Sequence, residues 1–428
     1  MRIFFYLSLL ILFSLVGNAR AQLPHKDMRL LKNLNSHGQY TSSCWGYVAP
    51  NGREYAILGC YNGTSFIDIT DSTNIHEIAF KPGVTSAWRE MKTYSHYVYV
   101  VAEALNSKVQ IFDMQYAPDS IHLVKTTNFP NHSSTHTIQS YGRYMLLNGN
   151  NSTFVTNGGV AVMDCIDPEN PVIRGKMGTP IPGNTNGYIH DCRVRNDTLW
   201  ACNIYTGYIS IYDMRNVDTL KPIRAFQEYI IRDYSTNNCA FMPYNRNFLF
   251  CTNEFIDPPA GRLKIWNIEV PNNNYLVTTW HPTNIDSASV HNVEIYGNYA
   301  LVSAHTAGIR LINIINPAIP VEIAWYDTYP SSNGAQWAGC WGVFMFPSKK
   351  IIASDMNTGF YCVKPTIPIT DIGNGNNVEA PITMDLKQNY PNPFNPSTKI
   401  SFSITKNSFV SLKVYNLSGK EVANLIND

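Results

Sequence analysis

Val160-Ala-Val-Met-Asp-Cys-Ile-Asp-Pro-Glu-Asn-Pro-Val and Ile309-Arg-Leu-Ile-Asn-Ile-Ile-Asn-Pro-Ala-Ile-Pro-Val are two copies of one pattern. A β-branched run ends on Asp or Asn, passes through a proline-containing turn, and resumes on Val. Related runs are Phe66-Ile-Asp-Ile, Val109-Gln-Ile-Phe-Asp, Ile209-Ser-Ile-Tyr-Asp, Leu263-Lys-Ile-Trp-Asn and Phe360-Tyr-Cys-Val. Runs this short and apolar predict strands buried on both faces. The closing Asp or Asn can accept its own downstream backbone N–H and start a turn.

Working upstream from each run, a second apolar strand appears, such as Tyr97-Val-Tyr-Val-Val, Tyr144-Met-Leu-Leu or Tyr299-Ala-Leu-Val. Before that, first strands start near Cys44, Arg89, His136, His190, Asn237, His291 and Cys340. Their spacing of about 45–54 residues suits four strands per repeat. Glycine-containing turns at Asn62-Gly63, Thr206-Gly207, Ala307-Gly308 and Thr358-Gly359 offer positive-φ positions between the second and third strands.

Outer strands such as His76-Glu-Ile-Ala-Phe and Pro171-Val-Ile-Arg-Gly complete six repeats. The seventh runs into Pro365 and Pro368 instead, and Met28-Arg-Leu-Leu-Lys-Asn-Leu has the character to replace its missing strand. Closing the ring in this way removes exposed sheet edges. The fold class expected is therefore all-β: a seven-bladed β-propeller over residues 22–364, followed by a partial Ig-like β-sandwich tail.

The composition agrees. Of 428 residues, 44% are hydrophobic, 12% aromatic and only 15% charged, with 25 Pro and 26 Gly. A formal net charge of +1 excludes a broad basic surface for nucleic acid. Met1-Arg2, the apolar run Ile3 to Val16 and Ala19-Arg20-Ala21 predict a secretory signal peptide over residues 1–21, too short to serve as a bilayer span. No later stretch is apolar enough to cross a membrane.

The repeat text, together with Trp88-Arg89-Glu90, Thr135-His136, Ile189-His190-Asp191, Val290-His291-Asn292 and Cys340-Trp341-Gly342, resembles the LVIVD repeat of the choice-of-anchor B family. That resemblance implies an exported bacterial surface protein whose anchoring signal lies at the C-terminus; it implies no reaction. After the linker 365–385, the motif from Tyr390 to Thr398 and the alternation at Ile400, Phe402, Ile404 and at Val410, Leu412, Val414 resemble a type A sorting domain. Such tails are read by the type IX secretion machinery of Bacteroidota-like bacteria, so that machinery is an expected partner and the cell surface or medium the expected location. Residues 386–428 are shorter than the family's usual tail and read as truncated.

In a propeller, the start of each innermost strand and the end of each second strand meet at one mouth of the central channel. Arg89, Glu90, His136, His190, Asp191, Asn238, His291 and Asn292 fall at the first location; Glu103, Asn203, Glu254, His305 and Asp355 fall near the second. A binding site formed by this ring, with His305 included, is the expectation. His136, His190 and His291 could ligate a divalent metal. Alternatively, His190 with Asp191 or Glu90 could form an acid–base pair in a hydrolase or lyase. A third reading has the ring satisfying backbone ends and channel waters, and a fourth has it binding a glycan, peptide or protein without chemistry. Phosphate loops, nucleophile elbows and H-E-x-x-H are absent from the sequence, and Asp164-Cys-Ile-Asp167-Pro-Glu169 reads as a turn rather than a calcium loop.

Nine cysteines in an exported chain suggest disulfides. Cys44 with Cys60, Cys192 with Cys202 and Cys239 with Cys251 are spaced symmetrically about hairpin turns, with Cys340 and Cys362 a further pair and Cys165 left free.

Overall fold

The computed structural model describes residues 25–177, 188–227, 235–256 and 261–370, apart from 39, 244, 246, 271, 272, 284 and 286, together with parts of 385–427. The expected signal peptide and most of the Tyr390 to Thr398 motif lie outside the described residues.

Seven antiparallel sheets follow one another along the chain, and each is ordered from an innermost to an outermost strand. The innermost strands are Thr41–Val48, Arg89–Tyr94, Thr137–Tyr141, Asp191–Arg195, Cys239–Phe241, Asn292–Tyr296 and Cys340–Met345. The second strands behave as their composition requires: all six residues of Tyr97–Ala102 and all five of Tyr144–Asn148 are buried. Outer strands such as His122–Thr126 are largely exposed. Apolar clusters fill the wedges between neighbouring blades, as where Ala56, Leu58 and Ile67 of blade 1 meet Phe344 and Ile352 of blade 7. Each Leu, Ile or Phe among them contributes about 1.5–3 kcal/mol by leaving water.

Six blades share one turn. Asp68, Asp113, Asp164, Asp213, Asn267 and Asn313 close their third strands, and each accepts the backbone N–H two residues on, at 2.7–3.0 Å. This is the turn that the terminal Asp or Asn of each repeat predicts. The run after Asp164 is part of it, with Asp167 accepting from Glu169 and Asn170.

Blade 7 takes its outer strand from the N-terminus. Met28–Leu34 pairs antiparallel with Gly359–Pro365, Met28 standing opposite Pro365. Gly359 sits at φ +91°, and a Cβ there would stand 2.5 Å from the Leu34 carbonyl oxygen, so the latch needs glycine. Gly207 and Gly308 also have positive φ, whereas Gly63 does not: it opens a strand. One addition was not expected. His25–Lys26 pairs with Tyr326 and Trp325, giving blade 6 a fifth strand.

In the tail, Asp385–Leu386 pairs with Phe402–Ser403, and Ser411–Tyr415 with Glu421–Asn427. Among the described residues no helix is long and apolar enough to cross a membrane.

Candidate functional site

The innermost strands begin around one mouth of the channel, where Trp88, Arg89, Glu90, His136, Thr137, His190, Asp191, His291, Asn292 and Trp341 line a cavity of about 10 Å³. That is room for about one water or one ion. Of the nine residues expected to form the binding ring, seven line this cavity and Asn238 and His305 do not, and the nine divide into groups with different surroundings.

Several of them hold blades together. Arg89 donates from Nε to the Cys60 carbonyl at 3.0 Å and from Nη2 to the Val84 carbonyl at 2.5 Å, and burial lowers its guanidinium to about 10. Asn238 donates to Asp191 at 2.5 Å and accepts from the Val293 N–H at 3.2 Å, joining blades 4, 5 and 6. Asn203 donates within its own blade, to the carbonyls of Ala201 and Tyr208. Asp355 accepts the N–H groups of Asn357 and Thr358 in a turn. The Asn292 backbone N–H donates to Ser303 Oγ at 3.1 Å.

The expected acid–base pair is not formed. His190 contacts neither Asp191 nor Glu90: its Nδ1 faces the Asn237 carbonyl at 3.1 Å, and its Nε2 faces His136 Nε2 at 2.8 Å. Asp191 instead accepts from the Cys192 N–H and from Asn238, and Glu90 accepts from Lys92 at 2.7 Å. Burial, and next the charge of Glu90, push Asp191 up to about 6.

The expected metal trio of His136, His190 and His291 also divides. His136 Nδ1 lies 3.1 Å from Glu103 Oε2. Burial disfavours a charge on His136, but the hydrogen bond and charge of Glu103 outweigh it and raise the ring. Burial and the neighbouring His136 hold His190 well below its usual value. With both Nδ1 atoms donating outward, the short contact between the Nε2 atoms requires one proton between them. His136 carries it and His190 accepts.

His291 belongs to another group. Its Nδ1 donates to the Trp341 carbonyl at 2.7 Å, and its Nε2 lies 3.6 Å from Glu254 Oε1. His305 Nε2 lies 3.1 Å from the same oxygen. Asn237 Nδ2 holds the other Glu254 oxygen at 2.8 Å, so Asn237 ties the two histidine groups together. Burial lowers His291 to about 4 and leaves it neutral, while the hydrogen bond from His305 works against burial at Glu254, whose carboxyl is held at about 2. The sequence had Glu254 only as a second-strand end; its alignment with two imidazoles depends on the angle between blades 5 and 6.

Further rings continue outward from the mouth, with the half-buried Tyr188 between the buried His136 and the exposed Tyr205. Trp88 stands 6.5 Å from His136, Tyr188 6.2 Å from His136, and Tyr205 5.2 Å from Tyr188, measured between ring centroids. Trp88 and Tyr205 are 41% and 66% exposed.

No disulfide joins any of the nine cysteines, all of which are buried, and this corrects the expected bridges. Cys192 stands opposite Ala201 rather than Cys202, so those two thiols lie on opposite faces of the blade. The hairpin register, with Val48 opposite Glu54, centres the turn on Asn51 and sets Cys44 against Leu58, one step short of Cys60 on that face. Cys239 and Cys251 are opposite in register, but Cys239 turns to Cys202 of the neighbouring blade and to the Trp200 carbonyl. Cys340 and Cys362 are separated by a whole strand.

No family model matches this chain, and no curated protein matches it. Among solved structures, a protein of Bacteroides fragilis NCTC 9343, provisionally named a 6-phosphogluconolactonase, aligns at TM-score 0.51 and 12% identity, over 79% of this chain and 98% of its own. A protein from Lactobacillus plantarum aligns at TM-score 0.53 and 10% identity, over 74% of this chain and 90% of its own. What the chain shares with both is the propeller fold.

Proposed function

We propose that this chain is an exported propeller of the choice-of-anchor B kind, held at the cell surface or released, that binds an extracellular glycan with its channel-mouth face. The observation that carries the binding is the run of rings from Trp88 through His136 and Tyr188 to Tyr205. The mouth cavity admits about one water, so a larger ligand must lie across the rim. Exposed aromatic faces beside imidazole and carboxylate groups suit the C–H faces and hydroxyls of a sugar better than an apolar peptide.

Export rests on the apolar leader with Ala19-Arg20-Ala21 and on the Tyr390 to Thr398 motif. Deleting residues 386–428 should strand the protein in the periplasm of a host with type IX secretion; continued surface display would refute the assignment. For the ligand, calorimetry against a panel of soluble bacterial and host polysaccharides should find one that binds the wild type. Trp88→Ala and Tyr205→Ala should each weaken that binding at least about tenfold, as removal of a stacking anchor does. A panel without a binder, or variants that bind as well as the wild type, would overturn the reading.

A hydrolase or lyase is the second reading, favoured by the His136–His190 pair alone, because two imidazoles sharing a proton at 2.8 Å can pass it to a bound group. Turnover of lactone or ester substrates that His190→Ala abolishes would establish it.

A further inference from the structure

We propose that Glu254, His291 and His305 form a three-ligand site for a divalent transition metal such as Zn2+, built where blades 5, 6 and 7 meet. The proposal does not depend on which ligand the rim recognises.

The ligand atoms of these three residues all lie within 4.8 Å of one another, the one such group of His, Cys, Asp and Glu among the described residues. Tetrahedral bonds of about 2.0–2.1 Å set neighbouring ligand atoms about 3.3 Å apart. The Glu254–His305 and Glu254–His291 separations of 3.1 and 3.6 Å bracket that value. Two imidazoles and a carboxylate are also the donor set that zinc takes in open, three-ligand sites.

His291 supplies the strongest argument. Its Nδ1 gives its proton to the Trp341 carbonyl, which leaves a lone pair on Nε2 in the neutral ring. That Nε2 is buried, has no hydrogen-bond partner and faces a carboxylate oxygen. A lone pair turned toward an anion is repelled unless a cation stands between them.

The supports around two of the three residues match this role, while His305 Nδ1 is buried without an acceptor. Metal-binding histidines usually hand their second N–H to a carbonyl or carboxylate, and ligating carboxylates are themselves hydrogen-bonded. Trp341 provides the first kind of support to His291, and Asn237 the second to Glu254. The Trp341 ring packs 4.2 Å from the His291 ring, measured between centroids, and walls off the site. His305 is fully buried and sits at φ +32°, a strained backbone for a side chain of its size. Its carbonyl is fixed by the N–H groups of Gly308 and Cys340. A fourth ligand could be a water in the mouth cavity that His291 borders.

The test uses the full chain, stripped by a chelator and titrated with Zn2+ and with Co2+. The wild type should bind one equivalent, show the intense visible bands of four-coordinate cobalt, and unfold at a higher temperature with Zn2+ than without. Glu254→Gln and His305→Ala should lose the bands and the thermal shift, while Asn237→Ala should bind about 10–100-fold more weakly. His96→Ala, whose side chain pairs with Asp113 and does not line the mouth cavity, should bind as the wild type does. Metal-free melting of each variant separates lost binding from lost folding. A wild type that takes up no metal would overturn the assignment, as would variants at Glu254 and His305 that bind it undiminished.

Discussion

Arg193 reaches past its neighbouring blade to Glu294: Nη2 of the blade 4 arginine lies 2.9 Å from Oε1 of the blade 6 glutamate, with blade 5 between them contributing the Cys239 carbonyl to Arg193 Nε at 3.1 Å. Both side chains are buried, and the charges of Glu294 and Asp191 overcome desolvation to hold the guanidinium charged. The pair braces three innermost strands from inside the channel.

Removing one partner strands the other charge. Arg193→Ala should cost about 3–5 kcal/mol, whereas Arg193→Met combined with Glu294→Leu should cost far less, because a buried pair is no more stabilising than well-packed apolar groups. Urea unfolding of the three proteins measures both values; a single variant as stable as the wild type would show that the brace carries no weight.

The latch on blade 7 makes a contrast between neighbouring residues. Met28 is fully buried among Tyr326, Tyr361 and Val363, while Leu30 is 38% exposed. Met28→Ala should destabilise by about 2–5 kcal/mol, and Leu30→Ala by about 0.5 kcal/mol or less. Equal losses in thermal unfolding would mean that the strand is not held through Met28.

Acid should weaken the fold through His132. Burial, assisted by Lys108 and Lys176, lowers this imidazole from 6.5 to about 4, and Nε2 is tied to Thr135 Oγ1 at 2.9 Å. The unfolded chain therefore takes up the proton first. The stability contributed is fully present above about pH 6.5 and drains as pH falls toward 4, to a total of about 3 kcal/mol. His132→Gln should flatten the slope of unfolding free energy over that window, and an unchanged slope would place the effect elsewhere.

The thiols should be inert until the protein unfolds. Burial raises Cys44, Cys60, Cys165 and Cys362 to about 12, so little thiolate exists at neutral pH. Iodoacetamide should label none of the nine in the native protein and all nine in denaturant without reductant. Fewer than nine under the second condition would reveal bridges.

Much of the ring was legible because strands buried on both faces must be apolar throughout, and because six of the seven third strands end on a residue that can cap its own turn. The closing strand was legible from Pro365, which stops the seventh repeat. His25–Lys26 was not, since two residues carry no period. At the mouth, repeat position identified which residues arrive but not which face one another: the His136–His190 contact and the Glu254–His291–His305 group depend on the angles between blades. Cys44 and Cys60 look symmetric about Gly52 on paper, but the hairpin turns about Asn51, and that offset cannot be read from spacing.

The latch also sets an order of events. Asn33 bonds to the Phe360 carbonyl, 327 residues away, so the last sheet cannot be finished until nearly the whole propeller has left the ribosome. Contacts of such separation form late. Until then blade 7 keeps an open edge, and the ring can still be threaded or unwound from that side. The same N-terminal segment then adds His25–Lys26 to blade 6, so one short stretch fastens two blades in a single step and turns an open array into a closed circle.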